Sequence, residues 1–116
     1  VLVKDSNVLI LGFTFKENCP DVRNTKIVDI YHTLEEYTKN ITVYDPWANA
    51  DKVEHEYGVQ LTSSSLESLK GKFNAVILAV AHKEFVSLDI RSFLKNENGV
   101  VYDVKGILDR EMIDGR

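Results

Sequence analysis

The chain has 116 residues, 44% of them hydrophobic and 28% charged, with a formal net charge of -4. That length fits one domain with a proper core, and the composition excludes a disordered or low-complexity chain. The acidic balance argues against a non-specific nucleic-acid binder, which carries a basic excess, so local cations read as a site and not as a field.

In chain order, Val8 to Gly12 is a continuous apolar run with β-branched residues, the pattern of a strand buried on both faces. Phe13 to Thr25, FTFKENCPDVRNT, follows as a loop longer than the usual two to six residues. Thr25 suits an N-cap or first-turn position. Ile27, Ile30, Tyr31, Leu34 and Tyr37 then recur at helical spacing, and Lys39-Asn40 closes that helix. Ile41 to Tyr44 predicts a second strand, stopped by Asp45-Pro46, because proline cannot continue a central ladder. Asn49 to Tyr57 predicts a short polar helix with Gly58 as its C-cap. Val59 to Leu61 is extended, and the serines at 63–65 cap a turn of helix over Leu66 to Leu69. Phe73 to Val80 is the third strand. His82 starts a polar segment after it, Ile90 to Leu94 is a short helix, and Val100 to Asp103 is the fourth strand. This alternation predicts an α/β fold of Rossmann-like, three-layer α/β/α form, with a mainly parallel sheet and right-handed crossovers.

The single cysteine, Cys19, excludes a disulfide within the chain and fits a reducing, cytoplasmic compartment. The longest apolar run, Ala75 to Ala81, is too short to span a bilayer, so no membrane partner is expected. No signal peptide is recognisable. Valine at position 1 leads at once into a strand-like segment, and the chain is read as a fragment of a longer protein.

Ligands of open α/β sheets bind outside the carboxyl ends of the strands, where the Phe13–Thr25 loop belongs. The loop carries Lys16 and Arg23, a point charge and a planar fork, seven residues apart. They read as a phosphate site or, equally, as two solvated surface cations. A dinucleotide fingerprint would need three glycines after the first strand, yet only Gly12 is present, followed by Phe13 and Phe15. Asp45 stands where a ribose-binding acid would, though a turn aspartate before Pro46 is the favoured reading. Cys19 has two nearby cations but no histidine near it in sequence, and reads as a packing residue. His82 falls at the ligand end of the sheet and reads first as a helix-start residue. His32 and His55 lie on polar helical positions without a metal-binding spacing. Lys105 follows the fourth strand and could converge with the loop cations on one crevice.

Four blocks, LGFTFKENCPDVRNT, VYDPWA, AVILAVAHKEF and VYDVKGIL, together resemble the C-terminal domain of the UDP-glucose/GDP-mannose dehydrogenase family, in order and spacing, over nearly the whole chain. The KENCPDVRNT variant resembles the bacterial branch that oxidises UDP-N-acetylhexosamines for Vi-type capsule and O-antigen uronic acids; it departs from the UDP-glucose pattern at Cys19 and Asn24-Thr25. The resemblance implies a longer enzyme with an N-terminal NAD-binding domain and a central helix that makes a homodimer. Residues 1–116 would be its UDP-sugar-binding domain, a lid on the active site. The sugar C6 hydroxyl would be oxidised to a carboxylate in two NAD-dependent steps through a thioester on a cysteine upstream of this chain. No catalytic residue and no metal ligand is then expected here, and the fragment alone would be inactive. The resemblance places Phe15, Lys16 and Lys105 on the UDP-sugar and Arg23 on NAD. Many members of the family have arginine at the position of Lys105, so a bidentate contact is lost there. Two other readings stay open: a free-standing nucleotide- or phosphate-binding module without chemistry, and an interaction domain that uses the loop as a protein contact.

Overall fold

A computed structural model describes residues 6–23 and 25–104. Four strands, β1 (Val8–Leu11), β2 (Ile41–Tyr44), β3 (Ala75–Leu78) and β4 (Val100–Asp103), form one sheet. Their order is β2-β1-β3-β4, and every neighbouring pair is parallel. The two central strands are buried at every position, while β2 and β4 at the edges are only partly so. That is why VLIL and AVIL read as unbroken apolar runs: a strand covered on both faces has no solvent side to alternate toward.

Successive side chains of each strand feed opposite layers. On one face Val8, Ile10, Ala75 and Ile77 pack with Ile27 and Leu34 of α1 (Ile27–Glu35) and Val53 of α2 (Ala50–Tyr57). On the other, Leu9, Leu11, Val76 and Leu78 pack with Leu69 of α3 (Leu66–Leu69) and Phe85 of α4 (Lys83–Val86). Ile90 and Phe93, from a 3-10 turn over Ile90–Phe93, complete that layer. The expected three-layer α/β/α arrangement with a parallel sheet is the one observed. Asn49 caps α2 by accepting from the Lys52 amide, Gly58 closes it at φ 69°, and Ser65 caps α3.

Several boundaries differ from the sequence reading. Helix α1 stops at Glu35, four residues before Lys39, because the amides of Tyr37 and Thr38 both turn back to the Leu34 carbonyl. Tyr37 consequently leaves the apolar face and is 56% exposed. Lys26 holds the assigned N-cap position of α1 without a side-chain bond, and Thr25, one residue earlier, supplies the side-chain cap. Its hydroxyl donates to the Phe13 carbonyl at 2.7 Å and accepts from the amide of Ile27, the first of the helix. The Ile90–Leu94 helix is a 3-10 turn. Strand β3 is shorter than Phe73–Val80, since the amides of Ala79 and Val80 both converge on the Leu11 carbonyl as the chain bends over Gly12. Gly12 sits at φ 101°, and a Cβ there would lie 2.5 Å from Val80 Cβ. Glycine is therefore required by conformation and by space together.

The connection from β1 runs to β2 on one side, and that from β3 runs to β4 on the other. The carboxyl ends of β1 and β3 thus flank the topological switch point, where ligands of such sheets bind.

Candidate functional site

The β1–α1 loop rises from the switch point and is built from its own hydrogen bonds. The Phe15 amide donates to the Asp21 carbonyl at 2.7 Å, closing the loop's neck. The Thr14 hydroxyl donates to the Lys16 carbonyl at 2.9 Å, and Tyr57 of α2 donates to the Val22 carbonyl. Asn18 occupies the left-handed region at φ 54°, a conformation asparagine tolerates better than most residues. Its side-chain oxygen accepts from the Lys83 amide at 2.8 Å, which ties the loop to the start of α4.

Beneath the loop lies a buried polar cluster. The Asp45 carboxylate accepts five hydrogen bonds: Phe13 and Thr14 amides and His82 Nε2 on Oδ2, Trp47 and Ala48 amides on Oδ1. Burial pushes its pKa up, but the donors from His82, Phe13 and Trp47 outweigh that and hold it below the ordinary 3.8. His82 is fully buried; its Nε2 lies 2.9 Å from Asp45 Oδ2 and 3.1 Å from Thr14 Oγ1, and its Nδ1 accepts from the Asn18 amide at 2.9 Å. Trp47 stacks on the imidazole at 5.9 Å, and its indole N–H donates to Glu84. Asp45 is thus the turn aspartate the sequence suggested, and His82 does sit at a helix start. Sequence reading missed that the two meet, 37 residues apart. The available signal was positional: an acid after β2 and a histidine after β3 both flank the end of β1.

This arrangement does not build a dinucleotide cradle. The amides after Gly12, those of Phe13 and Thr14, are already donated to Asp45, and Asp45 with five donors has no lone pair left over for a ribose hydroxyl.

The loop displays its chemistry outward. Phe15 is 50% exposed, and Lys16 is exposed beside it. Arg23, with 81% of its side chain exposed, forms a two-pronged pair with Asp21 at 3.1 and 3.2 Å. Arg23 holds the Asp21 carboxyl below its usual range by these bonds. The pair uses two of the five guanidinium N–H groups and leaves the others facing solvent. A groove of about 460 Å³ runs past Arg23, lined by Cys19, Pro20, Asp21, Asn49 and Lys52. A larger concavity, about 710 Å³, lies along α2 over Asp51–Glu56 and shares Lys52 with that groove. Lys16 and Arg23 therefore share one loop at the expected end of the sheet. Lys105 lies outside the described residues. Strand β4, which precedes it, is two strands from β1, or about 10 Å across the sheet. Among the described residues no cluster of three or more His, Cys, Asp or Glu could hold a metal, and no helix is long and apolar enough to cross a membrane.

Residues 9–110 match the UDP-glucose/GDP-mannose dehydrogenase family, UDP binding domain. The chain belongs to this family. Over 117 aligned residues it is 44% identical to the UDP-N-acetyl-D-glucosamine 6-dehydrogenase of Salmonella typhi, covering 98% of this chain and 27% of that protein. It is 37% identical to Protein CapL of Staphylococcus aureus over 114 residues, covering 97% of this chain and 26% of that protein. This UDP binding domain thus spans about a quarter of the length of the curated relatives it matches. In solved structures the same fold occurs in the UDP-D-ManNAc dehydrogenase from Pyrococcus horikoshii, with TM-score 0.74 at 20% identity, covering 97% of this chain and 25% of that one.

Proposed function

We propose that residues 1–116 are the nucleotide-sugar-binding domain of a longer NAD-dependent UDP-sugar 6-dehydrogenase. Its substrate would be a UDP-N-acetylhexosamine and its product a UDP-uronic acid for capsule or O-antigen polysaccharide. The observation that carries this reading is the 44% identity to a UDP-N-acetyl-D-glucosamine 6-dehydrogenase along 98% of the chain. The loop geometry supports it, with a half-exposed aromatic and an exposed ammonium side by side at the switch point.

In this reading Phe15 lies against the UDP-sugar and Lys16 neutralises its phosphate charge, with Lys105 adding a second cation. The N–H groups of Arg23 not engaged by Asp21 reach across the cleft to NAD. NAD accepts hydride from the sugar C6; it is held mainly by another domain of the full protein, because this one has no cradle for it. The domain closes the site and supplies positive charge, and the homodimer and the cytoplasmic location belong to the same proposal.

The test is steady-state kinetics of the full-length protein with UDP-N-acetylglucosamine and NAD varied in turn. Lys16→Ala is expected to weaken sugar-nucleotide binding by about 1.5–3 kcal/mol, the range for a charged hydrogen bond. Arg23→Ala is expected to act on NAD or on turnover. Constants within twofold of wild type for both variants would reduce these cations to surface decoration. Binding of UDP-sugar without any NADH formation by the full-length protein would favour the free-standing module instead.

A further inference from the structure

His82 is an ionisable ring with no exposure to solvent, in a position where a leucine would fill the same space. It occupies the N-cap position of α4 yet makes no capping bond. Its two nitrogens are committed elsewhere, and their partners fix its state. Nδ1 faces the Asn18 amide, which can only donate, so Nδ1 must present its lone pair. Nε2 faces the Asp45 carboxylate, which can only accept, so Nε2 must carry the proton. The Thr14 hydroxyl has given its hydrogen to the Lys16 carbonyl and can share the Nε2 proton. The ring is therefore neutral, in the Nε2–H form, and Trp47 and Phe85 wall it in at 5.9 and 5.6 Å.

This histidine grips the loop on both sides of Lys16. Through Nε2 it joins Thr14, whose hydroxyl holds the Lys16 carbonyl; through Nδ1 it holds the amide of Asn18. The segment from Thr14 to Asn18 is thus a short arch with both feet on one ring and Lys16 between them. An apolar side chain in place of His82 would leave the Asn18 amide without its acceptor and would take from Asp45 one of its five donors.

We propose that His82 is a positioning residue for nucleotide-sugar binding: locked as the neutral Nε2–H form by Asp45 and Asn18, it sets where the arch presents Lys16 and Phe15 to the ligand. This rests on the UDP-sugar reading above, and it concerns a residue that touches no ligand itself.

The experiment uses the full-length protein, with KM for UDP-N-acetylglucosamine, KM for NAD and kcat measured for Lys16→Ala, His82→Leu, His82→Gln and the double variant Lys16→Ala/His82→Leu. His82→Leu is expected to raise the sugar-nucleotide KM by about tenfold or more, since small displacements of a binding group are costly. Its NAD KM should stay within about twofold. Glutamine can accept from the Asn18 amide and donate to Asp45, so His82→Gln should recover most of the loss. Because His82 acts on Lys16 as well as Phe15, the double variant should lose clearly less than the sum of the two single losses, the mark of coupled sites. Wild-type KM in folded His82→Leu, or additive losses in the double variant, overturns the proposal. Should His82→Leu fail to fold, nitrogen-15 NMR of histidine-labelled protein at pH 7 decides. The Nε2–H pattern supports the proposal, and an imidazolium or Nδ1–H pattern overturns it. If Lys16→Ala itself leaves the sugar-nucleotide KM unchanged, the UDP-sugar reading falls and takes this one with it. If only the His82 variants are silent, the UDP-sugar reading stands without it.

Discussion

The two ends of the sheet are stitched by different chemistry. At the amino end the work is done by neutral groups: the Asn7 amide donates to the Asn74 side chain at 2.8 Å, Asn74 returns a bond to the Asn7 carbonyl, and the Thr38 hydroxyl ties down Ser6. At the carboxyl end the same mechanical task falls to a buried carboxylate and a buried imidazole. An ion buried away from water costs several kcal/mol unless fully paired, so amides would be the cheaper fastening at both ends. The difference teaches what the carboxyl end is for. Asp45 gathers bonds from three separate strand ends, after β1, β2 and β3, onto one group. A single amide, with only one acceptor oxygen, could not do that. The stronger knot holds the long loop that displays Lys16, whereas among the described residues the amino end displays no comparable segment.

The comparison can be broken by cutting both fastenings. Asp45→Ala should cost about 3–5 kcal/mol in urea unfolding, because it strands several donors at once and each one left buried and unsatisfied costs about 1–3 kcal/mol. Asn74→Ala should cost only about 1–2 kcal/mol. Equal losses at the two ends would erase the distinction. Gly12→Ala comes next, at roughly 2–4 kcal/mol, from a φ of 101° that alanine resists and a contact at 2.5 Å that must open. A crystal structure of that variant should show Val80 displaced.

Acid sharpens the same contrast. The pKa of Asp45 is depressed in the folded chain, so the native state holds its proton less tightly than the unfolded state. Its contribution is complete above the ordinary value of 3.8 and is lost as pH falls through the lower, folded value. Urea midpoints should therefore drop below about pH 4 in the wild type, and the drop should be smaller in Asp45→Asn. The smallest effect is expected at Cys19, a partly exposed residue with a free thiol. Cys19→Ser should shift stability by no more than about 0.5 kcal/mol and leave most activity of the full-length protein intact. A loss beyond about a hundredfold would return Cys19 to the chemistry.

The sheet was legible in the sequence because each strand carries its own signal. VLIL and AVIL announce two-sided burial, Pro46 stops β2, and Asn49 and Gly58 bracket α2. The position of the Lys16–Arg23 loop followed from the strand before it. What could not be read locally were effects of distant residues. Just past the early end of α1, Thr38 reaches Ser6, 32 positions away, and the Asp45–His82 bond joins residues from two different crossovers. Both residues looked ordinary alone, an aspartate before proline and a histidine before a helix. Only the β2-β1-β3 order brings them to the same place.

That order also governs how the chain assembles as it is made. The earliest of the four strands lies between β2 and β3, and Val8 pairs with Ile41 on one side but with Ala75 on the other. At ribosomal rates of about 5–20 residues per second, the second partner emerges roughly 3–13 s after the first strand. During that interval Val8–Leu11 has a bare edge, and parallel pairing across so long a separation is intrinsically slow. The nascent chain therefore carries its most apolar, most central strand with one edge unpaired until β3 arrives.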